Sequence, residues 1–203
     1  MKAWHLKRKA EHFYQQAKEE KYRARSAYKL LEINKKFHLI KRGSVVVDLG
    51  AAPGSWSQVA LQFVGQEGFV LAVDILLMEH LEGPFEFLKA DLTKPDTIKK
   101  IKEILPGSAD LVMSDAAPEF SGIRTRDIGL AMELNKSALA IARKLLKPEG
   151  SFVCKAFQGP DFQTFLQDAK KNFRVVKTFK PDSSLKSSAE MYVIAKFFSP
   201  ALF

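Results

Sequence analysis

From Gly43 onward, short apolar runs rich in β-branched residues alternate with segments of helical period. That rhythm suits a mostly parallel sheet covered on both faces and little else, because parallel neighbours need a crossover and buried strands read as continuous apolar runs. The pattern predicts strands at Ser44–Leu49, Phe69–Asp74, Phe85–Ala90, Asp110–Ser114 and Ser151–Phe157. Helices are predicted from Ser55, from about Pro95 to Leu105, from about Ile128 to Leu146 and from Pro160 to Asn172. Arg174–Phe179 and Met191–Phe198 have no helix between them and predict an antiparallel hairpin at one side. The expected fold is a doubly wound α/β sheet.

Upstream of this core, residues 4–21 read as a basic helix and a second helix is predicted over Ser26–Phe37. Ala27, Leu30, Leu31 and Asn34 share one face of that second helix, with Lys29 off it. The expected organisation is a basic helical extension, residues 1–42, packed on a domain of residues 43–203. The charge supports the division. Residues 1–42 hold thirteen Lys and Arg against four Asp and Glu, which equals the +9 of the whole chain, while the remainder is neutral. With Trp4, His5, Phe13, Tyr14, Tyr22 and Tyr28 interleaved, the segment reads as a nucleic-acid footprint. No apolar run approaches the roughly 18 residues of a membrane helix. One cysteine permits no internal disulfide, which points to a reducing cytosol. Four scattered histidines offer no metal-ligand spacing, so no metal is expected.

The first strand ends in "VVVDLGAAPGSWSQVA". Its glycine-rich turn into a helix allows a ligand close to the backbone, but Ala52 and Ser55 break the dinucleotide fingerprint and no Gly-Lys-Ser/Thr follows. A nucleotide without a phosphate chain fits better. Asp74 ends the second strand, where an acid can accept from both ribose hydroxyls, and Asp91 ends the third, within reach of an adenine amino group. After the fourth strand "SDAAP" places Asp115 before two alanines, unlike the Asp/Asn-Pro-Pro-aromatic turn that accepts a flat amine. In "EGSFVCKAFQG" the strand alternation points Cys154 and Lys155 to opposite faces. Cys154 reads as a small buried hydrophobe rather than a nucleophile, and a hydroxyl remains as acceptor. Lys155, an ammonium where a sheet wants valine, reads as a general base for that hydroxyl.

"DLGAAPGSWSQ", "SDAAPEFSG", "GSFVCKAFQG" and "KPDSSLKSSAEMYVIA" together resemble, in order, the signature segments of the FtsJ/RrmJ family of ribosomal RNA 2′-O-methyltransferases, over about Tyr22 to Phe198. The resemblance implies a Rossmann-like class I methyltransferase fold, a seven-stranded mostly parallel sheet with one antiparallel strand, and S-adenosylmethionine as methyl donor. It implies a catalytic group of Lys29, Asp115, Lys155 and Glu190. It implies cofactor contacts from Asp48, Gly50, Pro53, Gly54 and Trp56 in the first turn, with Asp74 on the ribose, Asp91 on the adenine and Asp115 beside the methionine. The implied substrate is a uridine in the peptidyl-transferase-centre A-loop of large-subunit ribosomal RNA, met by a monomer on an assembling subunit. Arg23, Arg25, Arg124, Arg126, Lys180 and Lys186 lie on segments expected at the rim, where they could bind RNA phosphates, and "SGIRTRD" is expected as a mobile lip. The rival readings are a transfer-RNA 2′-O-methyltransferase, a non-enzymatic RNA-binding module, and a nicotinamide-dependent dehydrogenase that the missing glycine pattern disfavours.

Overall fold

A computed structural model of the chain describes residues 13–119, 121–184 and 188–200. Seven strands form one sheet: β1 (Val45–Leu49), β2 (Phe69–Asp74), β3 (Phe85–Lys89), β4 (Ala109–Ser114), β5 (Leu146–Phe157), β6 (Phe173–Phe179) and β7 (Glu190–Phe198). Their order is β3-β2-β1-β4-β5-β7-β6. The first five pair in parallel, and β7 enters antiparallel between β5 and β6. The order reverses between β1 and β4, and open α/β sheets bind ligands outside the strand ends at such a point. Among the described residues no helix is long and apolar enough to cross a membrane.

Each face of the sheet buries its own apolar cluster. One face packs on α3 (Thr97–Ile104), α4 (Arg124–Leu145) and α5 (Phe162–Lys170), with Ile101, Leu139 and Phe165 among the buried side chains. The other packs on α1 (Ala27–Phe37) and α2 (Ser55–Val64), which enclose Val46, Val70, Leu111, Val153 and Ile194. Helix α1 therefore forms part of the core layer. It buries Ala27, Tyr28, Leu30, Ile33 and Asn34, while Leu31 is only half-buried, so the buried stripe is turned slightly from the predicted one. Leu30 and Ile33 are fully enclosed, each contributing about 1.5–3 kcal/mol by area burial. Asn34 accounts for its own burial. Its Oδ1 accepts from the amides of Leu39 and Ile40, both at 2.9 Å, and turns the chain after His38 (φ +51°) closes the helix.

Two boundaries differ from the sequence reading for a local reason. Helix α4 begins at Arg124, not Ile128, because Asp127 in its first turn accepts from the amide and hydroxyl of Ser121 (2.9 and 2.7 Å). The expected lip is thus the start of a helix. Strand β5 begins at Leu146, directly after α4, pairs there with Ala109, and resumes pairing with β4 only at Ser151.

Candidate active site

The loops after β1, β2, β3 and β4 surround a cavity of about 670 Å³, a size typical of small-molecule sites. Gly50 has φ +71°, and a Cβ there would come within 2.6 Å of the Ala116 backbone, so only glycine lets the first loop pass the fourth. Asp74 is fixed by its own loop. Its Oδ2 accepts from the Ala52 amide at 2.9 Å and its Oδ1 from Leu76 at 2.8 Å, leaving each oxygen a further lone pair. The amide and hydroxyl of Thr93 both donate to Asp91 Oδ1 and hold that carboxyl below the usual range. Asp115 and Glu119 bring the carboxylates on the wall to four, and no Lys or Arg lines it; Ile75, Leu76, Leu92 and Leu134 supply apolar surface. Such a lining repels a pyrophosphate and suits a cationic ligand with a ribose and a flat apolar ring. S-adenosylmethionine, with its sulfonium and ammonium, fits that donor set.

Beside Asp115 lies a cluster of charged groups drawn from four elements. Lys155, on β5 and 9% exposed, donates from Nζ to the Asp115 carbonyl and stands 3.2 Å from Asp115 Oδ1. Tyr192, opposite Lys155 across the β5–β7 ladder, donates its hydroxyl to the same Oδ1 at 2.8 Å. Burial, then the Asp115 and Glu190 carboxylates, push the Tyr192 phenol well above its ordinary value, so it stays a donor. Two residues back on β7, Glu190 accepts from Lys29 Nζ at 2.6 Å and from Ser184 Oγ at 3.0 Å. Burial pushes its carboxyl up, but Lys29 and, further off, Lys155 outweigh that and hold it below the ordinary range. Lys29 Nζ also lies 5.8 Å from the centre of the Tyr192 ring. Lys29, on α1, thus meets Asp115, Lys155 and Glu190 at the sheet face that α1 covers.

Helix α1 is pinned in place by groups the sequence reading did not single out. Glu32 accepts from the amides of Asp182 and Ser183 (2.6 and 2.9 Å), tying the loop before β7 to the helix that carries Lys29. The sequence reading assigned neither Tyr192 nor Glu32 a role; the register of β7 and the docking of α1 give them their partners.

Other predicted residues are placed away from the cavity wall. Asp48 is fully buried and accepts from Ser57 Oγ at 2.6 Å, while burial raises its carboxyl to about 7. Trp56 is buried against Tyr192 (ring centres 5.6 Å apart) and donates from Nε1 to Ser26 O, so it braces α1 against β7. Gly54 starts α2 with φ +108°, where a Cβ would meet Met78 and the Arg23 guanidinium within 2.8 Å. Arg23 donates to the carbonyls of Pro53, Glu79 and His80 (2.8–3.0 Å) and so clamps two loops rather than facing solvent. Arg25 is half-buried, and Lys180 donates to Ser188 O. Arg124 and Arg126 are exposed on the first turn of α4. Lys186 lies outside the described residues. Cys154 faces the α4–α5 side in the core, and burial pushes its thiol up.

Residues 22–198 match the profile of a family described as FtsJ-like methyltransferase. Curated relatives include ribosomal RNA large subunit methyltransferase E of Methanothrix thermoacetophila, 51% identical over 92% of this chain and 72% of its own length. The protein of the same name in Methanothermobacter thermautotrophicus is 46% identical over 97% and 94%. Among solved structures, a Plasmodium falciparum protein described as a ribosomal RNA methyltransferase superposes with TM-score 0.77 at 28% identity, over 87% of this chain and 98% of that one.

Proposed function

Because the chain belongs to the FtsJ-like methyltransferase family, we propose that it methylates a ribose 2′-hydroxyl of large-subunit ribosomal RNA, with a uridine of the A-loop as the target. The methyl donor is S-adenosylmethionine, which when bound supplies an electrophilic methyl on a sulfonium. Asp74 would take its ribose hydroxyls, Asp91 its adenine amino group, and Asp115 its cationic end. The four carboxylates on a wall without Lys or Arg support this assignment over any dinucleotide.

The placement of Cys154 supports a hydroxyl acceptor over a pyrimidine carbon. Carbon methylation of a pyrimidine generally needs an accessible thiolate, and Cys154 is buried on the opposite sheet face with its thiol pushed up. Lys155 serves as the general base. Its two acceptors, the carbonyl and Oδ1 of Asp115, can take both N–H groups of a neutral amine and leave one lone pair for the incoming hydroxyl. The 2′-oxygen loses its proton to Lys155 Nζ, and the ammonium so formed already faces the Asp115 carboxylate. Lys29 and Glu190, joined at 2.6 Å, hold the target ribose and its phosphate.

The convergence of Lys155, Asp115, Lys29 and Glu190 carries the reading. Its test is transfer of a labelled methyl group from S-adenosylmethionine to large ribosomal subunits from cells lacking this protein, with alkali resistance marking the ribose. Lys155→Ala is expected to lower kcat by about 10²–10⁴ with cofactor affinity held. Label at an alkali-labile position would refute the 2′-hydroxyl, and turnover of Lys155→Ala within a few-fold of wild type would refute the base.

A further inference from the structure

At the end of β7 remote from Glu190, a second cavity of about 320 Å³ opens between the end of α1 and the β6–β7 ladder. Lys36, His38, Lys177, Lys196 and the Phe197 ring line it, and no carboxylate does. In the ladder Lys196 stands opposite Val175 and Lys177 opposite Ile194, which sets two lysines diagonally on one face. Lys196 Nζ donates to Phe37 O at 2.9 Å, and Lys36 Nζ rests 4.4 Å from the centre of the Phe179 ring. None of the three lysines is in an ion pair among the described residues. Positive groups gathered without a counter-charge repel one another, and an arriving anion removes that cost.

Phe197 is the second observation. It has φ +63°, a left-handed backbone that bulky residues rarely adopt, and is 36% exposed in a strand whose neighbours on either side are more buried. The Arg174 guanidinium lies 5.1 Å and Lys196 Nζ 5.3 Å from its ring centre. Arg174 is itself paired with Glu149, so it steadies the ring without adding free charge.

We propose that this cavity is a second RNA contact in which Lys36, Lys177 and Lys196 take phosphates of the substrate and Phe197 stacks on an unpaired base. It rests on the reading of the chain as a ribosomal RNA methyltransferase. Continuity favours RNA over an acidic protein, since α1 carries Lys29 at the active centre and Lys36 here. Lys196 lies six residues along β7 from Glu190, about 20 Å of strand, so one RNA must be long enough to reach both.

The experiment compares wild type, Lys36→Gln/Lys177→Gln and Phe197→Gly for affinity to protein-free large-subunit ribosomal RNA over a salt series. Methyl transfer to ribosomal subunits is followed in parallel. The double variant should bind RNA about tenfold more weakly and lose about two from the slope of log K against log salt, with S-adenosylmethionine affinity held. Phe197→Gly, whose backbone suits that φ, should keep its thermal stability and lose RNA affinity at least threefold. Unchanged RNA affinity and slope would overturn the proposal. So would a defect confined to assembled subunits, which would instead point to an acidic protein there. If wild type transfers no methyl to ribosomal RNA, the functional reading fails, while the salt slopes still decide whether this cavity binds RNA.

Discussion

A lysine inside a sheet survives only if its Nζ finds partners, and at position 155 they come from the neighbouring strand end: the Asp115 carbonyl and carboxylate. Tyr192 shares that carboxylate, so its hydroxyl fixes where the Asp115 oxygen points. Tyr192→Phe is expected to lower kcat several-fold and leave the fold intact, because the ring still packs on Trp56; an unchanged kcat would show that Lys155 alone orients Asp115. Asp48 makes a different prediction. Burial raises its carboxyl to about 7, so between about pH 4 and 7 the folded chain binds a proton that the unfolded chain has released, and stability falls as pH rises through that window. Denaturation free energies at pH 5.5 and 8 should show wild type losing about 2 kcal/mol more than Asp48→Asn across the interval. Parallel behaviour of the two proteins would remove Asp48 as a titrating group.

At the level of elements, the active centre depends on how α1 and the loop before β7 meet. Glu32 supplies that junction through two backbone amides, and the Lys29–Glu190 contact forms next to it. Glu32→Ala is therefore expected to reduce kcat/KM for RNA by about tenfold or more while S-adenosylmethionine affinity stays as in wild type, because Glu32 is not on the cavity wall. Equal loss of both affinities would mean general destabilisation. The same junction shows why the sequence was readable in some places and not in others. The strands were legible because Val46–Val47, Val70–Val73 and Leu111–Met113 are buried on both faces and must be apolar throughout. Asp74, Asp91 and Asp115 were placed at strand ends by counting alone, and all three line the cavity. Arg23 was not legible as a clamp. Its partners are three carbonyls, and a carbonyl leaves no mark on residue type. The start of α4 was missed for a similar reason, since Asp127 stabilises it through Ser121 before any apolar period begins.

For the whole molecule, the question is whether residues 1–42 are an extension or a structural layer. Charge alone sets them apart, with all of the net +9 on that side of Gly43. Packing does not. Ala27, Leu30, Ile33, Leu39 and Ile40 share one apolar cluster with Val46, Val70, Leu111, Val153 and Ile194, and α2 with the loop carrying Met78 and Leu81 covers more of that face. Without α1 the buried Tyr192 and Trp56 would also lose cover, and Trp56 Nε1 would lose its acceptor at Ser26. Leu30 and Ile33 alone represent about 3–6 kcal/mol of area burial, comparable to the entire stability of many domains. A chain of residues 43–203 is therefore expected to be insoluble or molten, with no cooperative urea transition and no near-ultraviolet circular dichroism, and not a smaller enzyme with weaker RNA affinity. If that fragment unfolds cooperatively and binds S-adenosylmethionine with wild-type affinity, then α1 is an accessory to a self-sufficient fold. If it does neither, the helix that carries Lys29 to its contact with Glu190 also completes the core, and sheet and site stand or fall together.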